Sequence, residues 1–153
     1  MGTTTGQKEG IADVFTLALQ GKAKASELVR QGKYYWVNDW ITDKRFPIQE
    51  HALVSRTIEL VKFDHDPTSE EVLTELARRG LERPTYEDAL YFGIEYPEEQ
   101  RKHPVVFLHE LVLDPAGNRL VLVLVEDAGK RGLLLEWFDD PWDRLDAFVG
   151  RRK

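Results

Sequence analysis

The chain has 153 residues, the size of one domain, and carries 27 acidic against 21 basic side chains for a formal net charge of −6. Such an acidic surface repels phosphate backbones, which excludes nucleic-acid binding as the default, and the ending Arg151-Arg152-Lys153 is too short to reverse that. There is no cysteine, so disulfides, thiolate nucleophiles and cysteine-ligated metal centres are excluded.

Residues 1–10 are polar and rich in Gly and Thr, and read as a flexible tail without the apolar core of a signal peptide. Residues 11–153 read as a single α+β domain. The stretch 11–20 fits two periods: Ile11, Val14, Phe15, Ala18 and Leu19 form a helical stripe, whereas Phe15, Leu17 and Leu19 alternate as in a strand. A short helix is expected over 26–31, with Ser26 as N-cap and Gly32 just past its end. Residues 33–47 are aromatic and irregular. Residues 53–63 are rich in Val, Ile and Thr, lack breakers and read as a strand that Asp64-His65-Asp66-Pro67 stops.

Thr68-Ser69-Glu70-Glu71 is a capping box, and Val72, Leu73, Leu76 and Ala77 make the apolar stripe of the helix it starts, which Gly80 closes. Thr85 to Asp88 starts a second helix in the same style, expected to end at Gly93. From Val105 the period becomes two. Strands are expected over 105–113, 119–126 and 133–138, joined by Asp114-Pro115-Ala116-Gly117-Asn118 and Asp127-Ala128-Gly129-Lys130. The middle strand is apolar on both faces, with Leu120, Leu122 and Leu124 on one and Val121, Val123 and Val125 on the other, which predicts a central strand covered on both sides. The expectation is an antiparallel C-terminal meander under the two helices. A last short strand is expected over 147–151. The longest apolar run, 120–125, is far too short to span a bilayer, and the chain reads as soluble and cytoplasmic, with no membrane partner.

No H-E-x-x-H, G-x-S-x-G, P-loop or dinucleotide-binding motif is present, so no cofactor is expected and no catalytic residue is assigned. Asp64, His65 and Asp66 offer oxygen and imidazole donors that could hold a divalent cation for a metal-assisted hydrolase. The same triplet is equally a strand-ending turn whose Asp66 supports the helix that follows. His109 aligns with Phe107 and Leu111, as a half-buried, hydrogen-bonded strand histidine would, and strand alternation puts its neighbour Glu110 on the opposite face.

Two aromatic–acidic segments hold all four tryptophans: Tyr34-Tyr35-Trp36-Val37-Asn38-Asp39-Trp40 and Trp137-Phe138-Asp139-Asp140-Pro141-Trp142-Asp143. Tryptophan supplies contact area and an N–H suited to half-wet interfaces, and carboxylates around it would select a basic partner. The alternative role for these rings is to cap the ends of the core. The candidate binding set is therefore Trp36, Asp39, Trp40, Trp137, Asp139, Asp140, Trp142 and Asp143, facing a basic protein.

The stretch from Leu76-Ala77-Arg78-Arg79-Gly80-Leu81 through Arg83-Pro84-Thr85, with Gly32 to Asn38 and Trp142 to Lys153, resembles a group of small bacterial proteins. These join an L-x-x-R-G-L-R-P-A-T helix junction to a strand-rich end with W…R-F-A-x-x-R-K. Arg83-Pro84-Thr85 is also similar to the R-x-P-T helix start of the C-type-lectin-like fold of formylglycine-generating, sulfatase-modifying domains. The chain lacks the cysteine of the catalytic versions and the Glu-Pro-Asn triplet of sugar-binding lectins, so that resemblance implies a binding scaffold. Three readings follow. The first is a non-catalytic, protein-binding module acting through its aromatic–acidic loops. The second is a small metal-assisted hydrolase, and the third is an acidic inhibitor of a nucleic-acid-binding protein.

Overall fold

In the computed structural model of the protein, residues 13–153 are described; the expected tail over 1–10 lies outside them. The ambiguous first segment is a strand, β1 (Val14–Leu19), because Leu17 and Leu19 are fully buried while Ala18 between them is only half-buried and Thr16 before them is exposed, a period of two. Then follow α1 (Ala25–Gly32), the two-residue β2 (Trp36–Val37) and β3 (Val54–Val61). After these come α2 (Ser69–Arg78), β4 (Leu81–Glu82), α3 (Tyr86–Glu95), a 3-10 turn at Glu99–Arg101, β5 (Val105–Leu113), β6 (Arg119–Asp127), β7 (Lys130–Trp137) and β8 (Ala147–Arg152). Among the described residues eight strands join one sheet in the order β1-β3-β8-β5-β6-β7-β2, with β4 paired to the far end of β8.

The meander β5-β6-β7 is antiparallel with β6 in the middle, as the sequence predicts. The sheet as a whole is mixed: β8 lies parallel to β5, and β2 lies parallel to β7. The short last strand of the sequence reading is thus an interior one, inserted between β3 and β5. The sheet separates two cores. Leu122 and Leu124 of β6 pack with Leu90 and Phe92 of α3 and Leu28 of α1 on the first face. Val121 and Val123 pack with Val72 and Leu76 of α2, Phe138 and Phe148 on the second. The two helices expected together over the meander therefore lie on opposite faces. Alternation along β6 gives each face its own core, and each needs its own cover.

Both capping boxes form. Thr68 Oγ1 accepts the Glu71 N–H (3.1 Å) and Glu71 Oε1 accepts the Thr68 N–H (2.9 Å); Thr85 and Asp88 repeat the exchange at 3.0 and 2.8 Å. The first helix begins otherwise. Lys24 sits at its N-cap without a side-chain bond, and Asp43 from the next loop accepts both the Ser26 N–H and its hydroxyl at 2.7 Å. At its other end Gly32 is still helical, and Lys33 takes the left-handed conformation (φ 54°). Nor does Gly93 end α3: it lies inside the helix, where a Cβ would collide with Tyr34 Oη. The glycine answers a close approach rather than a turn, which sequence alone does not separate.

The β6–β7 hairpin turns on Ala128 (φ 53°) and Gly129 (φ 82°), both left-handed, between the paired residues Asp127 and Lys130. Alanine tolerates that conformation poorly. Ala128→Gly is expected to raise stability by about 0.5–1 kcal/mol in urea unfolding, the strain relieved outweighing the added chain entropy.

Candidate binding surface

The parallel pairing of β2 with β7 brings the two aromatic–acidic segments to one edge of the sheet. Trp36 pairs with Gly132 and its indole lies over that glycine, where a Cβ would collide with the ring. Trp40 follows the turn after β2, stacked under the Arg45 guanidinium at 3.6 Å. Trp137 ends β7 and is 47% exposed.

Trp142 does not belong to this edge. It is buried in the second core, edge-on to Phe148, and its Nε1–H donates to Ser69 Oγ (2.8 Å), whose hydroxyl donates to the Phe138 carbonyl (2.6 Å). This corrects its place in the candidate set: the ring closes the core under the loop that carries the chain from β7 back to β8. Trp142→Ala is accordingly expected to cost about 3–5 kcal/mol, whereas Trp40→Ala, which removes only a half-buried surface stack, should cost under about 1 kcal/mol. Paired urea melts check both; a comparable loss in the two variants would contradict these placements.

The carboxylates also divide. Asp139 is paired with Arg119, and Asp143 is spent on its own turn, where its Oδ1 accepts the Leu145 N–H (2.7 Å). Asp39 and Asp140 are exposed at the edge. Glu136, absent from the sequence-based set, stands near Asp140, on the second face opposite Val121. Burial raises its pKa first, and the charges of Asp140 and Asp146 raise it further. Strand alternation hid Glu136, since it stands among apolar residues where the pattern shows only a strand.

The edge itself is partly open. Phe138 N–H donates to the Arg119 carbonyl (2.8 Å), which makes Glu136 and Leu134 the residues bonded to β6 and turns the backbone of Leu135 and Trp137 outward. On that side Tyr35 N–H bonds the Arg131 carbonyl (2.8 Å) and Asn38 N–H the Leu133 carbonyl (3.0 Å). The chain then turns away, with Ile41 N–H on the Asn38 carbonyl (3.1 Å). Among the described residues, none bonds the backbone of Leu135 on this side, or the Trp137 N–H.

The Asp64-His65-Asp66 candidates are held by hydrogen bonds within the chain. His65 lies 3.0 Å from Asp64 and 3.2 Å from Glu71, whose hydrogen bonds raise its pKa, while Asp66 Oδ1 accepts both the backbone N–H and the Nε–H of Arg144 at 3.0 Å. Among the described residues no three His, Asp or Glu side chains form a group that could hold a metal ion. His109 is more buried than expected, at 1% exposure. The pairing of β5 with β6 shifts register between Phe107 and Val112, and at this irregularity His109 Nε2 accepts the Leu122 N–H (3.1 Å) while Nδ1–H bonds the Glu110 carbonyl (2.7 Å). His109 and Glu110 both line a cavity of about 280 Å³ with Pro47, Ile48, Thr85 and Tyr86, and Glu110 also lines a second one with Leu73 and Leu76 of α2. With both ring nitrogens engaged, the imidazole has no free nitrogen to offer a substrate.

Burial holds the His109 pKa down at about 4. The unfolded chain therefore binds a proton there between pH 6.5 and 4 that the folded chain refuses. Stability is full above pH 6.5 and falls by up to about 3 kcal/mol as pH drops through that window. Urea unfolding at pH 7 and pH 5 checks this. His51 and His65, whose pKa values are raised, contribute with the opposite sign, so the diagnostic is the difference from His109→Gln, which should shrink at the lower pH.

No family model, no curated protein and no solved structure matches this chain.

Proposed function

We propose that this protein is a non-catalytic, protein-binding module whose contact surface is the β2–β7 edge, with Trp40 and Trp137 as aromatic anchors and Asp39, Glu136 and Asp140 as a negative rim. The observation that carries the reading is Trp137: a large aromatic, half in water, at the end of a strand whose outer edge beyond β2 is left unpaired among the described residues. Exposed tryptophan is costly to leave in water, and it is among the residues that most often dominate protein contacts. Among the described residues no Lys or Arg pairs with these carboxylates, and the charges of Asp140 and Asp146 oppose that of Glu136, so a basic partner gains from meeting them and is steered towards them. The resemblance of Arg83-Pro84-Thr85 to the C-type-lectin-like scaffold supports the same class, binding rather than catalysis.

The test is selection of a random hexapeptide phage library on the immobilised protein, run in parallel on Trp137→Ala. Enrichment of Lys- and Arg-containing sequences on the native protein, and its loss on the variant, is the expected result. No enrichment over the bare support, or the same sequences enriched on both, would overturn the proposal.

A further inference from the structure

The two outer edges of this sheet are treated differently. In β1 the pairing with β3 leaves Thr16 and Ala18 facing outward, and side chains from the end of α3 occupy them. Tyr96 Oη accepts the Thr16 N–H (3.3 Å) and donates to the Thr16 carbonyl (2.8 Å), and Glu95 Oε2 accepts the Ala18 N–H (3.3 Å). That edge cannot take another strand without displacing them, which is a common protection against edge-to-edge pairing. No such cover lies on the second half of β7, where the outward groups of Leu135 and the Trp137 N–H are unbonded among the described residues.

From this asymmetry we infer that the partner binds by strand addition: a basic, extended peptide segment lies along β7 beside Leu135–Trp137, in the lane that β2 leaves after Val37. This rests on the reading of the β2–β7 edge as the contact surface and adds the mode and the sequence pattern of the ligand. Main-chain hydrogen bonds to Leu135 and Trp137 supply the anchoring, as in other strand-addition complexes.

Alternation then sets the side chains. Leu135 and Trp137 belong to the first face, with Leu133 and Leu122, and Glu136 to the second. A ligand residue beside Leu135 or Trp137 meets apolar surface, and the residue between them meets Glu136, whose charge is already opposed by Asp140 and Asp146. The segment that fits reads apolar–basic–apolar with a period of two. A basic residue there offsets the repulsion within the acidic group, and an acidic one adds to it.

The probes are synthetic hexapeptides titrated against the whole chain by tryptophan fluorescence and calorimetry. Val-Lys-Val-Lys-Val-Lys is expected to bind about tenfold or more tightly than the block sequence Val-Val-Val-Lys-Lys-Lys and than Val-Glu-Val-Glu-Val-Glu. N-methylation of one alternate set of amides should weaken binding by about tenfold, and methylation of the other set by under about threefold, because only one set faces β7. Loss on methylating the valine amides marks an antiparallel ligand, and on the lysine amides a parallel one. Equal binding of the alternating and block peptides, with no effect of methylation, would overturn strand addition while leaving the aromatic–acidic surface standing. Binding of neither lysine peptide would overturn the inference and its premise together. Sedimentation of the unliganded protein as a dimer that Trp137→Glu dissociates would show a second copy of this chain in the lane, and overturn the peptide assignment.

Discussion

Replacing Arg131 by methionine is expected to destabilise the fold by about 3–5 kcal/mol, a large fraction of a typical domain's total. Arg131 is the second residue of β7 and is only 7% exposed. Its Nη1–H donates to the Gly32 carbonyl at the end of α1 (2.6 Å), its Nη2–H to the Gly93 carbonyl in α3 (2.7 Å) and its Nε–H to Gln100 Oε1 (3.1 Å). Gln100, itself buried, passes its amide on to the carbonyls of Val125 in β6 (2.7 Å) and Gly132 in β7 (3.0 Å). The guanidinium lies over the Tyr34 ring at 4.7 Å, and burial pushes that phenol's pKa up to about 12. One planar donor group thus joins two helices, the 3-10 turn and the sheet. Methionine fills much of the volume but leaves three acceptors unsatisfied in the interior, each costing about 1–3 kcal/mol. Lysine, a compact donor without the fork, should recover less than half of the loss. Urea unfolding measures both, and a loss under about 1 kcal/mol for methionine would show that water replaces the guanidinium.

Val123→Asp is expected to cost about 4 kcal/mol or more, enough to leave much of the chain unfolded at 37 °C. Val123 is 3% exposed on the second face, packed with Val72, Leu76 and Phe148. The basic side chains that reach this cluster, Arg83 and Arg119 over the Phe138 ring, are already held by the Leu108 and His109 carbonyls and by Asp139, so the carboxylate would be desolvated without a partner. Circular dichroism melts against Val123→Ala separate the charge from the cavity: alanine alone should cost about 2 kcal/mol. A well-folded Val123→Asp protein would mean that the second face is open to water at β6.

The elements that could be read from the sequence are those fixed by local chemistry. The capping boxes at Thr68 and Thr85 carry their own acceptors and donors within four residues, and the two-faced pattern of β6 states its own burial. The turns at Gly117 and Gly129 mark where the backbone must enter positive φ. By the same local chemistry, the meander and its middle strand follow from residues 105–138 alone. The two aromatic–acidic segments were also legible as compositional outliers, and so were the tryptophans they hold.

Partners far apart in the chain had no local sign. Two residues, Trp36 and Val37, show no periodicity, so only their pairing with Gly132 and Leu133 makes them a strand and carries the first segment to the second. Trp142 and Trp137 look alike in sequence; Ser69, 73 positions away, supplies the acceptor that lets one of them be buried. Arg131 stands beside a glycine turn, and carbonyls 99 and 38 residues away surround it. The sequence by itself determined where α2 and α3 start, where the hairpin turns and which strand lies at the centre, because those depend on dihedral preferences and hydrophobic alternation within one segment. Only the tertiary structure decided which face each helix covers, which aromatic is core and which is surface, and which edge of the sheet stays open, because a buried polar group is tolerated only where distant residues meet its hydrogen bonds.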